Sequence, residues 1–512
     1  MTSASPNSIS TWSSKKADVP WDTGRGVQRH KTAMVRSDLS RPFKVALLDG
    51  LLAADQSVMD YGCGRGGDVV RLRAGGFDCT GWDPAHAPDG VRRAADVVNL
   101  GYVVNVIENP AERREALQRA WALARGLLVV SARLQDEAPT TSSVTLADGH
   151  LNRLGAFQKF YEQDELRAWI DHTLSAQSVA AAPGVFYVFR NVADRLTFLA
   201  SRHRRATATP RLRLSDALAR ENHDLLQALA GFLAARGRLP GEDELPEYGH
   251  IIGALGSLPR AFRLLRNVSD PAIWSLVRRA REEDLLIFLA MARFHGRRSF
   301  SELSLALQRD VKAFFGSFAR AVAEADAQLF AVGQPAARQE AIEQAEFGKT
   351  LPKAFYVHAG SLVDLPLTLR LYEACAQAYL GAVEGANIIK FGRDEPKLSY
   401  LAYPDFEGDP HPALATSTSV HLQTFRGRTL DYRASRNPPI LHRKDAFIPF
   451  THPLRRRFER LTRQEERLGL LDETSSIGTR DGWNARLQAG GYVLRGHQVR
   501  RVLSSADRLA AH

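Results

Sequence analysis

The sequence predicts an α/β protein whose N-terminal part contains a doubly wound parallel sheet, followed by a mostly helical domain and a smaller mixed α+β domain. Two short apolar runs carry the first prediction: one ends at Asp60 and leads into a glycine-rich turn, and the next ends at Asp83. The glycines of the turn stand at alternate positions, Gly62, Gly64 and Gly66. Glycine permits positive φ angles and a close backbone approach to a ligand, so the segment is typical of the first βα turn of such a sheet.

Composition is that of a soluble globular protein. The 512 residues suffice for about two to four domains, and 44% hydrophobic with 24% charged residues is an ordinary balance. The formal net charge of +11 and the pI of about 9.7 favour an anionic partner, with DNA as the first candidate among nucleic acids. A generally basic soluble enzyme is the alternative.

Cysteines and apolar runs bear on the cellular compartment. Cys63, Cys79 and Cys375 form no C-x-x-C pair, which suits a reducing cytosol. The sequence has no run of about 18 apolar residues, and its polar N-terminus lacks the core of a signal peptide. We therefore expect a cytoplasmic protein without a membrane partner.

Two kinds of nucleotide cofactor fit the glycine turn. Gly62, Gly64 and Gly67 satisfy the dinucleotide pattern G-x-G-x-x-G, with Asp83 at about the expected distance of 20 residues. Asp60, however, lies two residues before the first glycine, where its charge would repel a pyrophosphate. S-Adenosylmethionine carries no phosphate, and its sulfonium and amino groups are cationic. The residues therefore favour S-adenosylmethionine over NAD or FAD, and a glycine turn without a ligand is the remaining alternative.

Apolar periodicity predicts the elements around the turn. They are a helix over 43–52 with Ser40 as its cap, a strand and loop over 95–108, a helix over 110–125, a strand over 127–131, a helix entry over 157–166 and a last strand over 185–190. Alternating strands and helices imply a parallel sheet that binds ligands at the carboxyl ends of its strands. Asp60, Asp83 and Asn99 all fall at those ends.

Five motifs resemble a known family. They are His30-Lys31-Thr32-Ala33-Met34, Asp60-Tyr61-Gly62-Cys63-Gly64-Arg65-Gly66, Gly81-Trp82-Asp83-Pro84, Asn99-Leu100-Gly101-Tyr102-Val103 and Asn437-Pro438-Pro439-Ile440-Leu441-His442-Arg443-Lys444. In motif order, residues 30–133 resemble class I S-adenosylmethionine-dependent methyltransferases. More narrowly, all five motifs resemble methyltransferases associated with DNA phosphorothioation systems.

The resemblance implies a Rossmann-like methyltransferase domain in a bacterial defence or modification context, where sulfur replaces a non-bridging phosphate oxygen of DNA. Other proteins of the phosphorothioation system would be partners. The cofactor contacts it implies are Asp60, Tyr61, Gly62, Cys63, Gly64, Gly66, Asp83, Pro84 and Asn99, with Asp83 on the ribose. One departure stands out. Only about a dozen residues separate Asp83 from Asp96, too few for the usual helix, strand and helix, and the acid that contacts the adenine amino group has no counterpart.

Asn99 and Tyr102 are the candidates for a catalytic role. Amino-methylating DNA enzymes use an Asn/Asp-Pro-Pro-aromatic motif after the fourth strand to hold a flipped base. The segment Asn99-Leu100-Gly101-Tyr102 keeps the amide and the ring but neither proline, so a loop amide and a core tyrosine are the alternative. Asn437-Pro438-Pro439 matches the letters better, but a structural turn is its simpler interpretation.

The chain divides into a disordered tail (1–25), a methyltransferase domain (26–200), a helical accessory domain (201–345) and a basic C-terminal domain (346–512). The segment from Arg195 to Arg213 contains six arginines and no acid, which predicts a basic linker. Within the helical domain, a short glycine turn precedes Arg260, Arg263 and Arg266, an arrangement compatible with a helix-turn-helix unit or with an ordinary bundle.

Basic residues in two regions are candidates for contact with a nucleic-acid backbone. They are Arg204, Arg205, Arg443, Lys444, Arg455, Arg456 and Arg457. The acidic cluster between Asp405 and His411 has the chemistry of a metal site and would suit a nuclease. Its prolines and glycine favour a polar turn, and we assign no metal to it.

The combined prediction is an S-adenosylmethionine-dependent methyltransferase that acts on nucleic acid and is associated with DNA phosphorothioation. The alternative is a non-catalytic DNA-binding or regulatory subunit that retains the methyltransferase fold.

Overall fold

A computed structural model describes residues 27–138, 144–152, 154–205, 209–210 and 220–502. The predicted tail over 1–25 and the end of the predicted basic linker, Arg211 and Arg213, lie outside the described residues.

The first nine strands belong to the N-terminal part of the chain. They are β1 (Ser57–Tyr61), β2 (Asp78–Trp82), β3 (Ala95–Gly101), β4 (Ala124–Ser131), β5 (Val144–Leu146), β6 (Gly149–Leu151), β7 (Phe157–Gln158), β8 (Ser178–Ala182) and β9 (Val185–Phe189). Six of them form one sheet in the order β2-β1-β3-β4-β9-β8, while β5, β6 and β7 form a small separate sheet. The strands β1 to β4 pair in parallel, and β9 pairs with β4 and β8 in antiparallel fashion.

The strand order confirms the predicted fold class. In a doubly wound sheet, the order in which successive strands are added reverses at the first strand. Here β1 likewise lies between β2 and β3. Such sheets commonly have the strand order 3-2-1-4-5-6. This sheet has no counterpart of strand 3, so β2 is its edge strand and β3 takes the place of strand 4. Residues 83–94, all of them described, contain no helix or strand. The short interval before Asp96 therefore removes one edge strand and its helices, as its length predicted.

Five helices cover the two faces of this sheet. They are α1 (Arg41–Leu48), α2 (Gly67–Ala74), α3 (Pro110–Leu123), α4 (Gln163–Leu174) and α5 (Val192–Arg202). Met59 and Leu128 face the layer that contains α3 and α4, whereas Val58 and Val129 face the layer that contains α1, α2 and α5. Side chains alternate between the faces of a strand, so this sheet is buried on both sides.

Several boundaries in this part differ from the predicted ones. The helix α1 ends at Leu48 instead of 52, and the predicted helix entry at 157 is strand β7, with α4 beginning at Gln163. The first residues of the predicted basic linker are helical. Arg195 lies in α5 with only 4% of its surface exposed, because the helix packs its apolar face on the sheet.

The helical region contains seven helices among its described residues. They are α6 (His223–Arg236), α7 (Tyr248–Leu255), α8 (Leu258–Asn267), α9 (Pro271–Ala292), α10 (Leu305–Phe315), α11 (Phe318–Val332) and α12 (Pro335–Glu343). Leu226, Ile251 and Trp274 belong to one core formed by α6 to α8 and the start of α9. The glycine turn between α7 and α8 is where the sequence predicted it.

The C-terminal part is an antiparallel meander with helices. Its strands are β10 (Lys349–Leu351), β11 (Ala354–His358), β12 (Ile388–Gly392), β13 (Lys397–Ala402), β14 (Thr416–His421) and β15 (Arg426–Asp431), paired in that order, with α13 (Leu367–Leu380) between β11 and β12. The helices α14 (Arg455–Arg467) and α15 (Arg480–Gly490) and the hairpin of β16 (Tyr492–Leu494) and β17 (Val499–Arg501) follow.

A continuous hydrophobic core joins the helical region to the meander. Leu289 of α9, Val311 of α10 and Leu369 of α13 share it with Phe355 of β11. Residues on both sides of 345 therefore contribute to one core, and the predicted domain boundaries stay predictions. No helix among the described residues is long and apolar enough to cross a membrane.

Candidate cofactor site

The predicted cofactor residues surround one cavity at the carboxyl ends of β1, β2 and β3. The cavity has a volume of about 740 Å³, within the range of about 300–1,000 Å³ that small-molecule sites occupy. Its walls are the glycine turn, the ends of the three strands and the segment 29–36 from the start of the described chain. Of the predicted cofactor residues, all but Gly66 line it: Asp60, Tyr61, Gly62, Cys63, Gly64, Asp83, Pro84 and Asn99.

The glycine turn holds a backbone that other residues would strain. Gly62, Gly64 and Gly66 have φ angles of 88°, 53° and 73°. A Cβ atom on Gly62 would lie 2.3 Å from Cγ2 of Val103, so this position also lacks space for a side chain. The backbone N–H groups of Gly62 and Cys63 donate to the Trp82 carbonyl oxygen at 2.7 and 3.1 Å. These bonds fasten the turn to the end of β2.

Asp60 is a buried carboxyl group at the bottom of the cavity. It is 3% exposed, and its Oδ1 accepts a hydrogen bond of 2.8 Å from Nδ2 of Asn99 on the neighbouring strand. The parallel register of β1 and β3 places the two residues side by side. Burial raises the pKa of Asp60 to about 7, against the smaller opposing effect of the Asn99 hydrogen bond. No cation forms an ion pair with Asp60 among the residues that the structure describes.

Asn99 presents an acceptor that the protein leaves unused. Because Asn99 Nδ2 donates to the carboxylate, its Oδ1 is directed elsewhere, and this buried oxygen has no hydrogen-bond partner in the described chain. Buried polar atoms are normally paired, and an orphan beside a cavity indicates a ligand group. A donor bound at this point would satisfy it.

Asp83 ties the glycine turn to the loop after β2. Its Oδ2 accepts the Gly64 N–H at 3.1 Å, and its Oδ1 accepts the N–H groups of Ala85 and His86, both at 2.9 Å. A carboxylate has about four acceptor sites, so these bonds leave capacity for a hydroxyl group. Cys63 lines the same cavity, and burial raises the pKa of its thiol to about 12. The thiol is therefore protonated at neutral pH and is no nucleophile.

Tyr102 also lines the cavity and has a strained backbone conformation. Its φ of 60° lies in the left-handed region, which costs a bulky residue about 1–2 kcal/mol. Its N–H donates to the Ser131 carbonyl at 3.0 Å, which holds that conformation. The Arg36 guanidinium lies 5.6 Å from the ring centroid. Burial raises the pKa of the Tyr102 hydroxyl, so the group stays protonated and can donate a hydrogen bond.

The segment 28–40 forms part of the wall of the cavity. Arg29 forms ion pairs of 2.7 Å with Glu108 and Glu112, and the Ser40 N–H donates to Asp68 Oδ1 at 2.9 Å. Arg36 also accepts, through its backbone oxygen, a hydrogen bond from Arg71. The sequence does not reveal these anchors, because their partners lie up to 83 residues away along the chain.

Arg204 and Arg205, two of the predicted nucleic-acid contacts, bond to other residues of the chain. Arg205 pairs with Glu283 and, at 3.4 Å, with Asp284, in a buried network that also contains Arg370. Arg204 donates to the Ala235 carbonyl of α6. These side chains therefore join α5 to the helical region.

The second group of predicted contacts divides between interior and surface. The prediction that Lys444 contacts a nucleic acid needs correction. Its side chain is 2% exposed, and its Nζ donates to the carbonyl oxygens of Phe406, at 2.7 Å, and Asp409. A lysine enclosed in this way cannot reach a phosphate. Arg443 pairs with Glu466, and Arg455 donates to the Ile448 carbonyl at 2.7 Å. Arg456 and Arg457 are exposed on α14.

The acidic segment from Asp405 to His411 closes a turn. Asp405 Oδ1 accepts the Gly408 N–H at 3.1 Å, and Asp409 Oδ1 accepts the His411 N–H at 2.9 Å. His411 is buried, with its Nε2 2.6 Å from Glu465 Oε1. In the described part of the chain, no three His, Cys, Asp or Glu side chains are arranged to hold a metal ion.

Asn437 and Pro439 have structural roles. Asn437 Oδ1 accepts the Asp481 N–H at 2.9 Å, and Pro439 pairs with Thr479 and accepts the Leu414 N–H at 2.8 Å. The motif thus connects the meander to α15.

Comparison with known proteins gives similarities of fold. No family model and no curated protein matches the chain. The 1,6-didemethyltoxoflavin-N1-methyltransferase of Burkholderia thailandensis, with bound 1,6-didemethyltoxoflavin and S-adenosylhomocysteine, is 15% identical over 32% of this chain and 78% of that chain, with a TM-score of 0.22. The magnesium protoporphyrin IX methyltransferase of Synechocystis, with bound S-adenosylhomocysteine, is 14% identical over 32% and 93%, with a TM-score of 0.22.

A third similar structure is the amino pentose methyltransferase CalS10 of Micromonospora echinaspora, bound to S-adenosylmethionine. It is 16% identical over 33% of this chain and 93% of that chain, with a TM-score of 0.24. The fold class stated above rests on the strand order and register of this chain.

Proposed function

We propose that the chain is an S-adenosylmethionine-dependent methyltransferase. The observation that carries the proposal is Asp60: a buried carboxyl group, without an ion-pair partner in the described chain, beneath a glycine turn at the switch point of the sheet. A carboxylate in such a place is costly unless a cation binds to it. A ligand that brings a positive charge to this point would remove that cost.

The residues fit this cofactor at both ends. The methionine part would lie against Asp60, with its ammonium group able to donate to the unpaired Oδ1 of Asn99. The ribose would lie near Asp83, whose carboxylate retains acceptor capacity. Gly62 keeps the turn closely packed against Val103, where no Cβ atom fits.

NAD or FAD fits less well. A pyrophosphate would be bound at the turn before α2, where Asp60 lies beneath it and Asp68 occupies the first turn of the helix. Both carboxylates would repel a phosphate, against the attraction of the helix N-terminus.

The cofactor supplies a methyl group bonded to a positively charged sulfur, which an acceptor can displace directly. The residues of this chain would hold and orient the two reactants, which is the main source of rate in such a displacement. Tyr102 can donate a hydrogen bond to the acceptor, and Arg36 can neutralise a negative charge beside it. The segment 28–40 would limit the access of water.

Isothermal titration of the full chain tests the proposal. Wild-type protein should bind S-adenosylmethionine and S-adenosylhomocysteine at micromolar concentrations but not NAD, and Asp60→Asn should weaken binding at least tenfold. Asp96→Asn is the matched control: this carboxylate bonds to Ser57 at the start of β1, away from the cavity. Preference for NAD, or equal loss in both variants, would contradict the proposal.

The finer proposal concerns the acceptor. The net charge of +11 supports a nucleic acid, and the five sequence motifs support an association with DNA phosphorothioation. Radiolabelled methyl transfer should be measured on DNA with and without phosphorothioate linkages and on RNA. Incorporation into no nucleic acid, by protein that binds the cofactor, would reject this acceptor class while leaving cofactor binding intact.

A non-catalytic subunit is the second candidate. The observation in its favour is the reduced segment 83–94, which removes the strand that usually carries the adenine-binding acid. Such a subunit would bind S-adenosylhomocysteine weakly or not at all and would transfer no methyl group. Weak binding that Asp60→Asn does not change would support it.

A further inference from the structure

The exposed face of α14 carries a row of four arginines, which we call the arginine row. Arg456, Arg460, Arg463 and Arg467 are spaced by four, three and four residues, so they lie on the same side of the helix. All four are exposed, and the row is about 16 Å long. The opposite side of the helix is buried through Phe458, Leu461, Thr462 and Glu465.

Few carboxylates neutralise this row. Arg463 pairs with Glu459. Arg456, Arg460 and Arg467 have no carboxylate within ion-pair distance among the residues that the structure describes. Nε of Arg460 donates to the Arg456 carbonyl at 3.3 Å, and Nε of Arg467 donates to the Arg463 carbonyl at 3.2 Å. These bonds lay the side chains along the helix.

The hairpin of β16 and β17 extends the positive surface. Gln464 of α14 forms two hydrogen bonds with the Val499 backbone, of 2.7 and 3.0 Å, and Arg457 contacts His497 Nδ1 at 2.8 Å. The hairpin brings three further exposed arginines, Arg495, Arg500 and Arg501. Helix and hairpin together contain nine arginines and three glutamates, of which Glu465 is buried.

We propose that α14 and this hairpin bind the phosphate backbone of a nucleic acid without reading its sequence. Each strand of a duplex carries one negative charge per about 3.4 Å of helix axis, so the arginine row spans the axial rise of about five phosphates of one strand. Guanidinium groups bind phosphate oxygens in pairs, and contacts to the backbone need no base recognition. The inference gives a partner class to the proposed function but does not depend on cofactor binding.

A membrane surface fits this helix less well. An amphipathic helix binds lipid by inserting its apolar face, and here that face is packed against the protein core. An acidic protein would offer the same sign of charge but not the regular spacing of a phosphate backbone, and the experiment includes it as an outcome.

The test is fluorescence anisotropy with the full chain and a labelled DNA duplex of mixed sequence, about 30 base pairs long, between about 50 and 200 mM salt. The test variant is Arg456→Gln/Arg460→Gln/Arg467→Gln. It should bind at least tenfold more weakly at the lower salt concentration, and the slope of log affinity against log salt should fall by about 2–3.

The control variant is Arg260→Gln/Arg263→Gln/Arg266→Gln on α8. It removes the same charge from three exposed arginines of another helix, the one that the sequence placed in a helix-turn-helix unit. It should change affinity less than twofold. Both variants should unfold at the wild-type temperature in thermal denaturation followed by circular dichroism, which shows that they are folded and needs no cofactor binding.

Four results would overturn the proposal. Equal weakening in both variants would indicate an effect of net charge alone, and loss only in the α8 variant would assign binding to the helix-turn-helix unit. Equal competition by poly-glutamate and by DNA at matched charge would assign the surface to an acidic protein. Failure of the wild-type chain to bind DNA would also reject it.

Discussion

Asp60 links stability to function at the scale of one residue. Its pKa is about 7 in the folded chain against 3.8 as its ordinary value. The folded state therefore binds the proton more tightly, and the stability that this proton provides is full below pH 3.8 and is lost as pH rises through 7. The difference corresponds to about 4 kcal/mol as an upper bound. We expect Asp60→Asn to unfold at higher temperature than wild type near pH 8, and at nearly the same temperature near pH 4, in thermal denaturation. Equal shifts at both pH values would contradict this origin of the effect.

The same carboxyl group should make ligand affinity depend on pH. A ligand cation binds the ionised form, so a protonated Asp60 must first release its proton. Affinity for S-adenosylhomocysteine, measured by isothermal titration, should fall about tenfold from pH 8 to pH 6, with a midpoint near 7. In Asp60→Asn the weak residual affinity should not change over this range. A wild-type affinity that is independent of pH would show that Asp60 does not contact the ligand cation.

Lys444 is a second buried ionisable residue whose contacts define its charge. Arg457 donates to Nδ1 of His497, so Nε2 of that ring must carry the proton, and it lies 3.1 Å from Lys444 Nζ. Only a neutral amine can accept this proton while it donates to the carbonyls of Phe406 and Asp409. Burial lowers the pKa of Lys444 to about 7, in agreement with this arrangement.

The neutral lysine predicts a stability that rises with pH. The folded pKa lies below the ordinary value of 10.5, so stability is lost as pH falls toward 7. Between pH 7 and pH 9, the free energy of unfolding of wild type should rise by about 2–3 kcal/mol more than that of Lys444→Met, measured by urea denaturation. Lys444→Arg, which cannot become neutral, should be less stable than wild type at both values. Parallel pH profiles for wild type and Lys444→Met would show that Lys444 is charged.

At the scale of elements, two glycines of the turn allow the effect of backbone strain to be measured apart from the effect of a steric clash. Gly62 and Gly66 both have positive φ, but a Cβ atom at Gly66 would contact nothing within 4 Å. Gly66→Ala should therefore lower the free energy of unfolding by about 1 kcal/mol and retain S-adenosylhomocysteine binding. Gly62→Ala should cost about 1–3 kcal/mol more, because it displaces Val103, and should lose most of its affinity. Denaturation and titration of both variants check this. Equal costs would mean that Val103 moves aside freely.

Local sequence was enough to predict this turn and most of the residues that line the cavity beside it. Asp60, Gly62 and Asp83 belong to segments in which a strand and its turn follow each other directly, and Asn99 joins them because parallel strands end at the same edge. Val103 and the anchors of Arg29 were missed because their contacts depend on residues distant in the chain. Lys444 was misplaced for the same reason: a basic sequence does not show that aromatic rings and carbonyl groups enclose one of its members.

At the scale of the whole molecule, the six-stranded sheet of the N-terminal part is fastened to the C-terminal part along its edge. The strand β8 would leave unpaired backbone groups there, but Ala382 N–H donates to the Ala181 carbonyl at 2.7 Å. Gln163 Nε2 donates to the Tyr379 carbonyl at 3.0 Å, and Asp136 Oδ2 accepts the Thr429 N–H at 2.6 Å. We infer that the two parts unfold together.

Gly381 is the position at which this coupling can be broken. A Cβ atom there would lie 2.4 Å from the backbone of Ala181, and the φ of 73° excludes relief by a small rotation. In scanning calorimetry, wild type should show one transition that S-adenosylhomocysteine shifts as a whole. Gly381→Ala should show two, of which the ligand shifts only one, because the N-terminal part alone contains the cavity. Gly385→Ala is the matched control, since its φ is 72° and its nearest contact would be an ordinary 3.9 Å. Two transitions in the wild type, or one in Gly381→Ala, would show that the contacts along β8 do not couple the two parts.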